Sequence, residues 1–113
     1  MPDKDRLQLV RDVYGAYESG DRSVLEELLS DNFTFYSPAD VGIDRARYFE
    51  RCWPNAALIR DFEFMRLIEE GDEVVVTYES TKTEGSRFRN TEVLTLDGAK
   101  ICKAEVYFGW NLA

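Results

Sequence analysis

The most constraining feature of this sequence is a change of hydrophobic period at Pro54. After that proline, apolar and polar side chains alternate as in β-strands over four stretches, residues 60–69, 73–82, 87–96 and 100–110. The breaks between them are short, and each contains a glycine, as hairpin turns do. Because strands joined this closely must run antiparallel, the second half predicts an antiparallel meander.

The first half predicts three helices and one short strand. The first helix has an apolar stripe at helical spacing, formed by Leu7, Val10, Tyr14 and Tyr17. It ends near Gly20, and the second helix is capped by Asp21 or by Ser23, which is spaced from Glu26 as in a capping box. A third helix begins at Asp44 and ends at Pro54. With a short aromatic strand at 33–37, the pattern predicts an α+β fold in which three helices cover one face of a curved antiparallel sheet.

Composition excludes several classes of function. The chain has 113 residues, which favours one domain over 1–113. It carries 14 Lys and Arg against 22 Asp and Glu, a formal charge of -8 that argues against nucleic-acid binding. The complete lack of histidine removes Ser-His-Asp and Cys-His sites and histidine metal ligands. We therefore predict no metal site and no cofactor.

Cysteine usage and hydropathy indicate a location. Cys52 and Cys102 lie far apart, form no CxxC motif and read as small buried hydrophobes. No apolar run approaches the roughly 18 residues of a membrane span, and the charged start, residues 1–6, lacks the apolar centre of a signal peptide. A cytoplasmic protein without a membrane partner is expected.

Strand alternation also predicts which side chains face inward. In the last strand the uncharged inner set is Cys102, Ala104, Val106, Phe108 and Trp110, with Ile101 and Tyr107 outside. In the preceding strand the inner set is Phe88, Asn90, Glu92, Leu94 and Leu96. A three-residue loop at 97–99 would set Glu92 opposite Ala104 and Asn90 opposite Val106. In the strand before, Val74, Val76 and Tyr78 point inward, which brings Tyr78 near Asn90 and Glu92.

Glu92 is the anomaly in this inner face. An unpaired carboxylate in an apolar interior is costly, and small residues opposite it would leave a cavity with a carboxyl and an amide on its wall. We therefore take Glu92 as the candidate catalytic group. The candidate ligand-binding residues are Asn90, Tyr78, Tyr14, Ala104, Val106, Phe108 and Trp53. The alternatives are a structural carboxylate satisfied by Tyr78 or Asn90, tyrosines that only pack in the core, and tryptophans that serve the core or a dimer contact.

Several segments together resemble one family. They are Gly20-Asp21, Asp31-Asn32-Phe33, Ser37-Pro38, Glu70-Gly71-Asp72-Glu73-Val74, Asn90-Thr91-Glu92, Asp97-Gly98-Ala99-Lys100-Ile101 and Glu105-Val106-Tyr107-Phe108-Gly109-Trp110. In this order they look like the SnoaL-like proteins of the nuclear-transport-factor-2-like superfamily. The resemblance implies a cone-like α+β fold, a pocket between sheet and helices, and a homodimer formed through the outer face of the sheet.

The resemblance also implies a range of activities. The superfamily includes ketosteroid isomerases, polyketide cyclases, epoxide hydrolases, dehydratases and pocket proteins. Glu92 falls close to the protonated strand carboxyl of ketosteroid isomerases, whereas Ser37 holds the position of their base and Val13 lies nearest their helix tyrosine. The prediction is a small-molecule pocket protein for a largely apolar ligand; if it is an enzyme, its chemistry is cofactor-free proton transfer, as in an isomerase, cyclase or dehydratase. The alternative is a non-catalytic binding or scaffold protein acting as a homodimer.

Overall fold

A computed structural model describes residues 5–112. The start of the chain on which the signal-peptide prediction rests, Met1–Lys4, lies outside this range. The helices are α1 (Arg6–Ser19), α2 (Arg22–Leu28) and α3 (Arg45–Arg51), followed by a 3-10 helix (Trp53–Leu58). The strands are β1 (Leu29–Tyr36), β2 (Val41–Asp44), β3 (Ile59–Glu70), β4 (Glu73–Lys82), β5 (Arg87–Asp97) and β6 (Lys100–Leu112).

The strands form one curved, open sheet in the order β2-β1-β6-β5-β4-β3. The predicted α+β class and the meander of β3 to β6 are confirmed. The prediction of a purely antiparallel sheet is wrong, because β1 pairs with β6 in parallel, with Phe35 opposite Ala104. The intervening helices and strands provide the long crossover that a parallel pair needs. Strand β2, which the sequence did not predict, extends the sheet beyond β1.

The helix ends follow from local hydrogen bonds. Asp44 caps α3 as predicted, because its side chain accepts from the Arg47 N–H at 2.9 Å. Gly20 ends α1 in the left-handed region at φ 71°. The capping box is wrong: α2 begins after Asp21, and Ser23 lies inside the helix and donates to Asp21 instead. Helix α3 is shorter than predicted and ends at Arg51.

The core lies between the inner face of the sheet and the helices. Its fully buried members include Phe33, Leu25, Val10, Val76 and Leu94. The predicted inward set of β4 is confirmed, since Val74, Val76 and Tyr78 are at most 4% exposed. Among residues 5–112, no helix is long and apolar enough to cross a membrane.

Two bulges correct the predicted register of β5 and β6. Asp97 pairs with Lys100 across a loop of two residues, and the extra residue sits instead at Cys102, between the paired Ile101 and Lys103. Ile101 consequently turns inward and is 1% exposed, although it was predicted to lie outside. The pairs from Leu94 to Asn90 are displaced by two residues from the prediction, and beyond the second bulge Phe88 pairs with Asn111.

Between the two bulges, the displaced register changes the neighbours of the inner residues without changing their side of the sheet. Glu92 lies opposite Val106, Asn90 opposite Phe108, and Ala104 opposite Leu94. The prediction that Ala104 faces Glu92 is therefore wrong, and with it the argument that a small residue opens space there. A shift of two keeps the faces because strand side chains alternate with a period of two.

Candidate functional site

Glu92 is the centre of a polar cluster on the inner face of β5. Tyr78, from the neighbouring strand β4, donates its hydroxyl proton to Glu92 Oε2 at 2.7 Å. This distance is typical of a hydrogen bond to a carboxylate. The sequence prediction that Tyr78 lies near Glu92 and Asn90 is confirmed.

Asn90 connects Tyr78 to the last strand. Its Nδ2 donates to Tyr78 Oη at 3.4 Å, and its Oδ1 accepts the backbone N–H of Gly109 at 3.2 Å. Both ends of the Asn90 amide are therefore used within the protein. Asn90, Tyr78 and Glu92 form a hydrogen-bonded chain that runs from the edge of the sheet's inner face toward its middle.

Tyr14, from α1, is the residue of this cluster with an unused polar group. It is 4% exposed, and its hydroxyl is buried with no hydrogen-bond partner among residues 5–112. Its ring makes edge contacts with Phe62 and Phe64, with centroids 5.1 and 5.3 Å apart. The hydroxyl is close enough to Glu92 for the two groups to affect each other's pKa. Most buried hydroxyls find a partner, so this one is an exception that requires a reason.

Burial controls the electrostatics of the cluster. It raises the pKa of Glu92, and the neighbouring Tyr78 and Tyr14 hydroxyls oppose this rise by stabilising the carboxylate. Burial, followed by the charge on Glu92, raises the pKa of both tyrosines. Both hydroxyls consequently keep their protons at neutral pH, and Glu92 is shifted toward its neutral form.

This shift predicts a pH dependence of stability. The pKa of Glu92 in the folded state lies above its ordinary value of 4.5, so folding favours its protonated form. Its contribution to the free energy of unfolding is therefore fully present below pH 4.5 and is lost as pH rises through the folded-state pKa. We expect the difference in unfolding free energy between wild type and Glu92→Gln to fall over this range in urea titrations. A difference that is constant between pH 4 and 8 would contradict the shift.

A second polar pair lies deeper under the helices. The hydroxyls of Tyr17, on α1, and Tyr48, on α3, are hydrogen-bonded to each other. Tyr17 follows Tyr14 by three residues on the same helix face, so its inward direction could be foreseen. The sequence did not single out Tyr48, because the direction of its side chain depends on how α3 packs against β1. The Tyr48 ring lies 5.0 Å from Phe33 and from Phe35.

The remaining predicted ligand-binding residues are spread from core to surface. Ala104 is buried in the core at 5% exposure, whereas Val106 is half-buried and Phe108 is 59% exposed. Trp53 packs against Tyr17, with ring centroids 5.1 Å apart. Trp110 leaves the inner face, contrary to prediction, because the second bulge, near Gly109, turns it toward Arg89, whose guanidinium lies 5.3 Å from its ring. The inner face of β5 and β6 thus becomes more open from Ala104 toward Phe108.

Aromatic rings occupy the space beside Glu92. Phe62, Tyr14 and Tyr78 form a triangle of contacting rings, with centroids 5.1 to 5.3 Å apart. Two pockets on the described surface, of about 220 and 320 Å³, are not lined by Glu92. The larger lies between the end of α1 and the 3-10 helix, where Trp53 forms part of its wall. Within residues 5–112, no group of three or more Cys, Asp or Glu side chains is placed to hold a metal ion.

A family model for the SnoaL-like domain matches residues 10–104, which is most of the chain. The chain belongs to the SnoaL-like family. No curated protein sequence matched it.

Solved structures place this SnoaL-like chain in a wider fold group. An NTF2-like protein of unknown function from Cytophaga hutchinsonii has a TM-score of 0.75 at 21% identity, over 96% of this chain and 95% of that one. A candidate polyketide cyclase from Sinorhizobium meliloti has a TM-score of 0.74 at 17% identity, over 88% of this chain and 94% of that one. An LEH-like epoxide hydrolase from M. tuberculosis has a TM-score of 0.74 at 17% identity, over 91% of this chain and 81% of that one. At these identities the similarity shows the fold alone.

The unused Tyr14 hydroxyl of this SnoaL-like chain predicts an unusual mutational effect. Replacing Tyr14 by phenylalanine removes a buried O–H that has no partner, so the free energy of unfolding should rise by about 1 kcal/mol. Tyr17→Phe is the matched control, because it removes a hydroxyl that has a partner and should lower stability. Urea unfolding of both variants below pH 4.5, where Glu92 keeps its proton and gains no charge stabilisation from Tyr14, measures the two signs. Equal losses in both variants would contradict the assignment of Tyr14 as unpartnered.

Proposed function

We propose that this protein binds a small, largely apolar molecule against the inner face of β5 and β6. We further propose that Glu92 transfers a proton to or from that molecule without a cofactor, in an isomerisation, cyclisation or dehydration. The observation that carries the proposal is the buried, unpartnered Tyr14 hydroxyl beside the Glu92 carboxyl. A ligand with an acceptor group would satisfy it.

The unpartnered hydroxyl of Tyr14 is energetically costly. A buried hydroxyl without a partner costs about 1–3 kcal/mol, and a protein that only needed packing at this position could use phenylalanine. Glu92 adds a second cost, since burial disfavours its charged form. Residues that lower stability in this way often belong to functional sites.

Glu92 has the properties of an acid–base group. A carboxyl group with a raised pKa keeps its proton to a higher pH than an ordinary glutamate and can both donate and accept a proton. Tyr78 holds one of its oxygens at 2.7 Å and fixes its orientation. The aromatic rings of Tyr14, Phe62 and Phe88 around this cluster suit an apolar ligand.

Two similar structures carry the names of enzymes, a candidate polyketide cyclase and an LEH-like epoxide hydrolase, which supports a catalytic role within this fold. Ligand entry at this site requires the aromatic rings beside Glu92 to move, since those of Tyr14, Phe62 and Tyr78 pack against one another. The half-open end of the inner face at Val106 and Phe108 is the proposed route.

The proposal includes a homodimer formed through the outer face of the sheet. Tyr107 and Trp110 lie on this side and are 55% and 61% exposed. Large exposed aromatic side chains are enriched at protein interfaces. Beside them, Glu79 is held by Arg87 and Arg89, which gives the face both signs of charge.

Native mass spectrometry of freshly purified protein tests binding and assembly together. We expect a dimer mass and, for a fraction of the protein, the added mass of a small organic molecule. A panel of cyclic ketones and phenols should raise the melting temperature of wild type, as ligands of the folded state do. The rise should be lost in Glu92→Gln and Tyr14→Phe. A monomer with no adduct and no thermal shift would overturn the proposal.

A scaffold protein without catalysis is the second candidate. The observation that favours it is the filling of the interior by the rings of Tyr14, Phe62 and Tyr78. Under this hypothesis Glu92 is a structural carboxyl satisfied by Tyr78. A dimer with no ligand, combined with higher stability in Glu92→Leu, would support the scaffold.

A further inference from the structure

We propose that Asn90 is a positioning residue that fixes the direction of the hydrogen bond between Tyr78 and Glu92 and so keeps the acidic proton of Glu92 on Oε1. This inference rests on the proposed acid–base role of Glu92. It assigns Asn90 a task that needs no contact with the ligand.

The contact with Gly109 fixes the orientation of the Asn90 amide. Gly109 offers a backbone N–H, which can only donate, and it lies 3.2 Å from one end of the amide. That end must be the carbonyl oxygen, because an NH₂ group cannot accept this bond. The NH₂ group therefore points at Tyr78 Oη, 3.4 Å away.

The Asn90 amide in turn sets the direction of the Tyr78 hydroxyl. Asn90 presents only N–H donors to Tyr78, so the Tyr78 proton cannot be given to Asn90. Glu92 Oε2, at 2.7 Å, is the acceptor that remains. A reversed bond, with Glu92 donating to Tyr78, would leave the buried Tyr78 O–H without an acceptor, which is costly.

The hydrogen bond from Tyr78 determines which oxygen of Glu92 carries the proton. Because Oε2 accepts the hydrogen bond from Tyr78, a protonated Glu92 carries its own proton on Oε1. Oε2 is held by Tyr78, whereas the Tyr14 hydroxyl stabilises the charged carboxyl from nearby without reaching hydrogen-bond geometry. The acidic proton therefore lies on the oxygen that Tyr78 does not hold.

The bulge at Gly109 supports the whole chain of bonds. A Cβ at this position would lie 2.2 Å from the backbone oxygen of Arg89, so only glycine allows β6 to approach β5 this closely. This approach brings the Gly109 N–H within reach of Asn90. The bulge therefore orients a side chain, as bulges beside active sites commonly do.

Several titratable groups face Glu92 and bear on any measurement of its pKa. Tyr78 faces it from β4, Tyr14 and Tyr17 from α1, and Tyr48 and Cys52 from α3 and its end. All five are neutral acids at pH 7, since burial raises the pKa of each, that of Cys52 to about 11. Substitutions at Asn90 and Tyr78 that add no charge therefore report on hydrogen bonding.

Carbon-13 NMR titration of the glutamate side-chain carboxyls tests the inference on protein without ligand. The Glu92 signal is identified by its absence in Glu92→Gln. Tyr78→Phe should raise the titration midpoint of Glu92 by about one pH unit, since it removes a hydrogen bond to the carboxylate. Asn90→Leu should raise it by roughly half as much, because Tyr78 loses its polarising donor.

The double variant gives the decisive result. If Asn90 acts through Tyr78, Asn90→Leu should have no further effect in the Tyr78→Phe background. The control is Thr91→Val, the adjacent residue of β5, whose hydroxyl bonds Thr77 on the other face and which should leave the midpoint unchanged. Asn90→Ala repeats the test should the leucine variant not fold.

Each other outcome overturns the inference in a recognisable way. Additive shifts would mean that Asn90 acts on Glu92 directly, and no shift in Asn90→Leu would mean that it does not act at all. Either result leaves the proposed binding function standing, because that function is tested separately by ligand-induced stabilisation. A wild-type Glu92 that titrates in the ordinary range of a glutamate would instead remove the acid–base role on which the inference rests.

Discussion

Glu92→Gln is expected to lower proton-transfer turnover by a factor of at least about 100, the contribution typical of one acid–base group. The glutamine has the shape of the glutamate and can still accept the Tyr78 hydrogen bond through its amide oxygen, so the fold should be preserved. The amide cannot give up or take a proton near neutral pH. The measurement is the rate of deuterium uptake, in D₂O, at the carbon beside the carbonyl of a cyclic ketone, followed by proton NMR.

The matched control is Glu79→Gln on β4. Glu79 is also a partly buried strand glutamate, but it lies on the outer face, where it binds Arg87 and Arg89. Its replacement should leave deuterium uptake close to that of wild type. Retained turnover in Glu92→Gln would reject the acid–base role. Higher stability in Glu92→Leu, with unchanged ligand binding, would identify Glu92 as a structural carboxyl only.

The polar part of the site could be predicted because strand patterns carry direction. Charged and apolar side chains alternate with a period of two, so Glu92 and Asn90 fall on the apolar side of β5 whatever the partner strand. The same pattern placed Tyr78 inward, and the structure brings the three together. A buried carboxylate is informative in a sequence because it needs a compensating reason.

The register and the open space could not be predicted in the same way. A bulge adds one residue to a strand and has no hydrophobic signature, so Cys102 and Gly109 look like ordinary strand positions. Glycine at 109 was a signal that could have been used, since glycine inside a strand often marks a bulge. The parallel pairing of β1 with β6 joins segments about 70 residues apart in sequence and leaves no local trace.

The helix side of the site depends on packing between distant elements. Tyr14 could be placed on the inner stripe of α1, but the absence of a hydrogen-bond partner for its hydroxyl depends on Phe62 and Phe64 of β3. The Tyr17–Tyr48 pair requires the position of α3 over β1, which only the assembled sheet defines. Sequence patterns thus predicted the direction of most single side chains and the contact of Tyr78 with the neighbouring strand, but not the contacts between helices and sheet.

Gly109→Ala and Gly15→Ala are expected to change stability in opposite directions. A Cβ at position 109 would lie 2.2 Å from the backbone oxygen of Arg89, so the two strands must separate, which should lower the free energy of unfolding by about 1–3 kcal/mol. A Cβ at Gly15, inside α1, meets no atom within 4 Å. Alanine there should raise the free energy of unfolding by about 0.5–1 kcal/mol, because glycine is a poor helix former.

Urea unfolding of the two variants measures the contrast, and the Gly109 variant carries a second readout. Separation of β5 and β6 at this point withdraws the Gly109 N–H from Asn90 Oδ1, so the Asn90 amide is free to turn. The titration midpoint of Glu92 should then move upward, as in Asn90→Leu, whereas Gly15→Ala should leave it unchanged. A Gly109→Ala protein that is as stable as wild type would show that the strands do not need this close approach. An unstable variant with an unchanged midpoint would separate the bulge from the orientation of Asn90.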